Sequence, residues 1–306
     1  MKQIYNKRKI EGVSTVGIIR NGGYHVFEMP VYEDGSFDCW HRIDFTGLRK
    51  DLERRWLVCQ VPEGEKISIF GLATILVEKS EFSFNEKEYY KYLEHLVHMM
   101  NHKLEGLYVE TEEQKQKWER HRVGWNAKGK PFKVQHSIGY FTLDGKSTWV
   151  FYSSDKTQNI ELAQITAYED GTFELDKEEG EYKTLEEIQK MFAEGKLFAE
   201  QKDSAWFNLG DLGRVYGKLI HAVNSKEKIK EIEQIGLELT KQPIAYDICE
   251  SYYYQYLRNP CERNRQLLKD AYEKVPEHER CYLGDMDTLD SDFRRIIYHP
   301  EVKREV

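Results

Sequence analysis

Short stretches of period-two alternation dominate the first two thirds of this chain, and helical periods take over after them. From Tyr24 to Glu33 apolar and polar residues alternate into an Asp34-Gly35 turn, and a second alternating run leaves it from Phe37 to Asp44. Alternation of this kind marks a half-buried strand, and Asp-Gly supplies the positive φ that a tight hairpin needs. Ile160–Glu169 and Phe173–Asp176 read the same way around Asp170-Gly171. Upstream hairpins are expected to turn at Asn21-Gly22 and at Asp144-Gly145. Short amphipathic helices follow over Leu48–Trp56 and Leu185–Phe192, the second stopping at Gly195. Further strands are expected at Leu57–Val61 and Ile67–Leu72, and at Leu197–Glu200 and Ala205–Leu209. A longer helix closes each set, over Tyr89–Leu104 and Leu212–Val223.

The two sets are one unit met twice. Val31-Tyr32-Glu33-Asp34-Gly35-Ser36-Phe37 recurs as Ala167-Tyr168-Glu169-Asp170-Gly171-Thr172-Phe173. A similar offset aligns Leu48 with Leu185, Phe70 with Phe207 and Leu72 with Leu209, and Leu96-Val97-His98 with Leu219-Ile220-His221. Strands with helices appended, rather than strict βα alternation, indicate an α+β fold: two tandem diverged repeats of mainly antiparallel sheet with two helices each. The predicted boundaries are 1–109 for the first repeat, 110–135 for a charged helical connector and loop, 136–224 for the second repeat and 225–306 for a helical C-terminal region. Helices in that region are expected over Lys226–Thr240, Ala245–Arg258, Arg263–Lys274 and Ser291–Tyr298, punctuated by Pro243, Pro260 and Pro276.

Two stretches carry a resemblance. Tyr32-Glu33-Asp34-Gly35 running into Asp38-Cys39-Trp40, with Pro62-Glu63-Gly64 and Ile67 to Leu72, is similar to an uncharacterised bacterial and phage domain family. Val275-Pro276-Glu277-His278-Glu279-Arg280 through Gly284-Asp285-Met286-Asp287 resembles segments of the same group. The second repeat departs from it, with Glu174-Leu175-Asp176 in place of Asp-Cys-Trp. The resemblance implies a bacterial or phage setting and no chemistry.

At 306 residues with 40% hydrophobic and 32% charged positions, the chain has the material for more than one core. A net charge of −8 argues against broad attraction to nucleic-acid phosphates. Five cysteines, with no CxxC pair, fit a reducing compartment, and neither a signal-peptide core nor a bilayer-length apolar run is found. The expected location is cytoplasmic, with no membrane association.

Candidate chemistry is sparse. His98 and His102 stand four apart on a predicted helix, the spacing at which two imidazoles chelate a metal. Asp285, Asp287, Asp290 and Asp292 offer hard oxygen ligands, although Asp290 or Ser291 also suits an N-cap. Cys39, His41 and Cys59 lack any nucleophile motif around them and read as core. Lys128, Lys130 and Lys133 sit in a Gly/Pro-rich loop that would meet an anion. Tyr252, Tyr253, Tyr254 and Tyr256 cover too much of a helix's circumference for one core stripe, and Arg258, Arg263 and Arg265 extend that surface. The leading reading is a protein-binding factor without a cofactor: an adaptor, inhibitor or immunity-type protein that meets another protein and leaves a homo-oligomer open. Two alternatives stand beside it. One is a metal-dependent hydrolase using the aspartate cluster or the helix histidines; the other is a small-ligand sensor binding between the repeats.

Overall fold

The computed structural model describes residue 10 and residues 12–113, 136–138, 141–143, 145–154, 159–178, 180–284 and 289–302. In the first repeat β1 (Gly12–Arg20) and β2 (Tyr24–Tyr32) form an antiparallel hairpin in register from Gly12↔Tyr32 to Arg20↔Tyr24. β3 (Phe37–Asp38) and β4 (Arg42–Ile43) are separate strands, because Trp40 takes a left-handed φ of 66° and breaks the run expected from Phe37 to Asp44. α1 (Phe45–Glu53) starts at Asp44, whose carboxylate accepts from the Gly47 N–H. β5 (Leu57–Val58) pairs with β1, β6 (Lys66–Ile69) runs parallel to β2, and β7 (Ala73–Phe82) turns back on β6. α2 (Glu86–Met100) closes the repeat behind a capping box built from Asn85 and Glu88.

The second repeat retraces this path. After the small pair β8 (His136–Ile138) and β9 (Phe141–Leu143) come β10 (Gly145–Tyr152), β11 (Asn159–Tyr168), β12 (Phe173–Leu175) and β13 (Tyr182–Lys183). Then follow α3 (Leu185–Ala193), β14 (Leu197–Phe198), β15 (Ala205–Asn208), β16 (Gly213–Ile220) and α4 (Ser225–Leu239). The first repeat's strand order β5-β1-β2-β6-β7 has its twin in β14-β10-β11-β15-β16, each with one parallel pair at the same place. Asp44 and Thr184 both cap the short helix, Leu48 and Ile188 both bury one turn later, and Ile67 pairs with Ile75 as Phe207 pairs with Val215. Each such fully buried aliphatic contributes about 1.5–3 kcal/mol of transfer free energy.

Those equivalences correct the alignment drawn from the sequence beyond the Asp-Gly turns. Phe70 is 75% exposed whereas Phe207 is fully buried, so the two are not counterparts. Leu96-Val97-His98 lies in α2 while Leu219-Ile220 lies in β16, and Leu212–Val223 is a strand preceded by a short turn rather than a helix. The helix matching α2 is α4, capped by Asn224 as α2 is by Asn85. β7 and β16, neither expected as a strand, pair antiparallel with each other from Thr74↔Ile220 to Phe82↔Gly213, with one bulge at Tyr216/Gly217.

The described residues fall into two compact units. The first holds β1–β7, α1, α2, the start of β11 through Leu162, β15 and β16; the second holds β8–β10, the rest of β11, β12–β14, α3, α4 and the C-terminal helices. Those C-terminal elements are α5 (Ala245–Arg258), α6 (Glu262–Tyr272), a 3₁₀ turn over Glu277–Tyr282, and α7 (Ser291–Tyr298). Their core is Cys249, Leu268, Ala271, Tyr272, Phe293 and Ile297 with their neighbours. Among the described residues no helix is long and apolar enough to cross a membrane.

Candidate functional site

α5 and α6 form a helical hairpin joined by Asn259, Pro260 and Cys261. The joint is fastened from inside: buried Asn264 donates from Nδ2 to the Asn259 carbonyl at 2.8 Å and accepts from Gln255 Nε2 at 3.1 Å. Above this polar floor opens a groove of about 820 Å³, lined among others by Ser251, Tyr254, Arg258, Cys261 and Arg263. Tyr254 and Arg258 reach it from successive turns of one helix face, and Arg263 reaches it from the first turn of α6.

The seven residues singled out on this segment therefore divide. Tyr252, Tyr253 and Tyr256 pack on the C-terminal core, and Tyr253 stacks on Phe293 with ring centroids 4.2 Å apart. Arg265 is held by Glu262 and by the Ile297 carbonyl at 2.7 Å. Tyr254, with half its surface exposed, stays outside with Arg258 and Arg263. Arg280 and Arg295 nearby are engaged with backbone carbonyls and Asp292, but among the described residues Arg258 and Arg263 have no ion pair. Leu257 and Ile248 continue the exposed apolar face of α5.

Other expected residues stand apart from this groove. α2 ends at Met100 with Asn101 as its C-cap, so His102 lies past the helix that was to place it beside His98. The helix stops there because Asn101 turns its side chain to the Glu33 and Glu105 carbonyls, both at 2.9 Å. Lys128, Lys130, Lys133, Asp285 and Asp287 lie outside the described residues. Cys39 is fully buried against Met29, and burial pushes its thiol well up; His41 lies 3.7 Å from the buried Asp51.

A second cluster has no counterpart among the sequence expectations. On the inner face of α4, fully buried Lys228 donates to both Glu231 oxygens at 2.9 and 3.0 Å and to the Thr148 hydroxyl at 2.7 Å. Thr148 in turn donates to Glu231, and His278 Nε2 donates to it at 2.8 Å. Burial lowers the Lys228 pKa. Glu231 is pulled up by burial, but hydrogen bonds from His278 and Thr148 and the Lys228 charge take its carboxyl below the ordinary range. Glu279 stands close enough that Glu231, His278 and Glu279 present ligand atoms within 4.8 Å of one another. Both Glu231 oxygens are already taken by the Lys228 ammonium, so a cation there must first displace it. The first repeat builds the same layer from aromatic side chains, since Tyr89 and Tyr92 occupy the positions of Lys228 and Glu231 and the Tyr92 hydroxyl donates to Asp211. Thr15, at the place of Thr148, meets the Tyr92 hydroxyl at 3.1 Å. The sequence signal was a Lys and a Glu three apart on the buried stripe of an amphipathic helix, opposite a histidine distant in the chain.

No curated protein and no solved structure matches the chain. The helices carrying the groove lie within residues 245–305, which match a family described as Domain of unknown function (DUF7639). Residues 1–104 and 133–243 match a single further family across both repeats, and the chain belongs to it: Domain of unknown function (DUF7638).

Proposed function

We propose that this protein is a protein-binding factor, an adaptor or inhibitor, that takes an acidic segment of another protein into the α5–α6 groove. One observation carries the reading: two guanidinium groups without an ion pair among the described residues flank an exposed tyrosine over a rigid polar floor. Tyrosine and arginine are the residue types that dominate binding energy at interfaces, tyrosine because it buries apolar area at little entropic cost. Arginine forks match carboxylates in bidentate pairs that are stronger than neutral hydrogen bonds. The groove accordingly suits Asp or Glu beside an apolar side chain, the latter laid on Tyr254 and Leu257.

The test is an immobilised peptide array, probed with the full chain and with its R258E/R263E variant. Wild type is expected to favour acidic-apolar peptides over their Lys-substituted counterparts, and the double reversal to invert that order with an unchanged melting temperature. Equal capture by both proteins, or indifference to peptide charge, overturns the reading.

A further inference from the structure

In the first unit, an open cleft of about 580 Å³ lies where the β1–β2 turn meets the end of α1, lined by Arg20, Tyr24, Arg54, Arg55, Trp56 and Glu65 among others. A neighbouring cleft of about 710 Å³ shares Arg20, Tyr24 and Arg55. The two chain segments are tied together, because the Arg20 N–H donates to the Trp56 carbonyl at 2.8 Å. Arg54 is anchored by Asp51 at 2.7 Å and lies over the Trp56 ring. Arg20 and Arg55 are exposed and, among the described residues, make no ion pair. The Trp56 indole Nε1 is buried with no hydrogen-bond partner, a cost of about 1–3 kcal/mol unless a ligand or water meets it.

The second repeat supplies the control. Its α3 ends in the same turn, with Gly195 N–H on Phe192 O at 3.1 Å and Lys196 N–H on Met191 O at 3.0 Å. In the first repeat Arg55 N–H meets Leu52 O at 3.0 Å and Trp56 N–H meets Asp51 O at 2.9 Å. Both turns need a left-handed residue, φ 73° at Gly195 and φ 56° at Arg55. Glycine takes that conformation freely, whereas arginine pays about 1 kcal/mol for it. Arg20 corresponds to Ser153, whose N–H bonds the Lys196 carbonyl at 2.9 Å, and Arg54 corresponds to Glu194. Three arginines thus gather in one repeat at positions where its twin has none, one of them against its backbone preference. Backbone strain kept without a packing reason points to function.

We infer that this cleft binds a phosphate-bearing small molecule, with Arg20 and Arg55 gripping the oxyanion and Trp56 and Tyr24 forming its wall. Arg54, held by Asp51, positions the turn. Glu65 opposes the anion and limits affinity for ligands that carry only the phosphate. A phosphate ester with a planar group gains from the aromatic wall, and inorganic phosphate does not.

Calorimetric titration of the full chain with phenyl phosphate and with inorganic phosphate tests this. Both are expected to bind saturably, phenyl phosphate the more tightly. R55G, which installs the residue of the second repeat, should melt higher than wild type yet bind phenyl phosphate on the order of tenfold more weakly, one lost charge-assisted grip. R20S should weaken binding comparably, and E65Q should tighten it. Equal affinity for the two probes would move the ligand to free phosphate. Binding by R55G equal to wild type, or no binding of either probe below about 10 mM, overturns the inference.

Discussion

The buried Lys228–Glu231 pair admits a quantitative test, since each member's surroundings fix what its loss leaves behind. Glu231→Leu strands the ammonium of a fully buried lysine, removing both carboxylate oxygens to which it donates while the Thr148 hydroxyl stays. Breaking a buried pair this way costs about 3–5 kcal/mol, because the surviving charge stays desolvated. Lys228→Met is milder. Glu231 keeps Thr148 and His278 as donors, and the loss of charged hydrogen bonds comes to about 2 kcal/mol. With both replaced, no charge is stranded, and apolar side chains of similar volume fill a layer that the first repeat already builds from Tyr89 and Tyr92. The double variant should then lie within about 2 kcal/mol of wild type, a coupling of roughly 4 kcal/mol against the sum of the singles. Hydrogen–deuterium exchange of the α4 amides is the suitable assay, because it reports opening of that helix without requiring the whole chain to unfold in one step. Additive singles, or a Glu231→Leu cost below about 1 kcal/mol, refute the reasoning.

Three further predictions concern the same cluster and the strand pair β7–β16. Glu279 has its carboxyl pushed up, first by burial and then by Glu231, so its ionised form costs stability. A raised carboxyl contributes most below the unfolded value and loses that contribution as pH rises through the folded one. Glu279→Gln should therefore raise the melting temperature at pH 7–8, with the gain vanishing toward pH 4; a gain constant across that range contradicts the assignment. Glu231, whose carboxyl is lowered, should show the reverse, its contribution present above the ordinary carboxylate range and lost on acidification. In the ladder, a Cβ at Gly217 would stand 2.0 Å from the Leu76 carbonyl oxygen, so Gly217→Ala should force the strands apart. A loss above about 2 kcal/mol in urea unfolding is expected, and a neutral substitution rules out the close approach.

The same glycine explains a failure of pattern reading. Along β16 the buried positions are Val215, Gly217 and Leu219, a clean period of two whose middle member has no apolar side chain to show it. Val215–Leu219 and Tyr216–Ile220 remain, spaced as on a helix, and the pattern therefore reads as one. The Asp-Gly turns, by contrast, announce themselves locally, and Gly35 and Gly171 take φ of 71° and 83° as those turns require. The expected span Ser291–Tyr298 matches α7 to the residue, although Asp290 at its N-cap makes no capping bond and accepts from the Tyr272 hydroxyl instead. The groove is half legible, since three consecutive tyrosines on a helix must include one that faces outward, but only packing decides that it is Tyr254. Lys228, Glu231, Thr148 and His278 are illegible as a set because Thr148 and His278 come from 80 and 47 positions away, and the Lys–Glu spacing alone does not call for them.

The β7–β16 ladder also bears on how such a chain arises. Thr74 faces Ile220, and their counterparts in the other repeat, Arg214 and Ser80, sit one place out of register across the bulge, so the ladder reads nearly the same from either end. That is the signature of two identical edges meeting about a twofold axis, the way a single repeat would pair with a second copy of itself. Joined in one chain, the halves are freed from having to match: one could acquire arginines at a strained turn while the other buried an ion pair. The near-symmetric ladder is common to both halves, and the strained Arg55 turn and the buried Lys228–Glu231 pair are where the two differ.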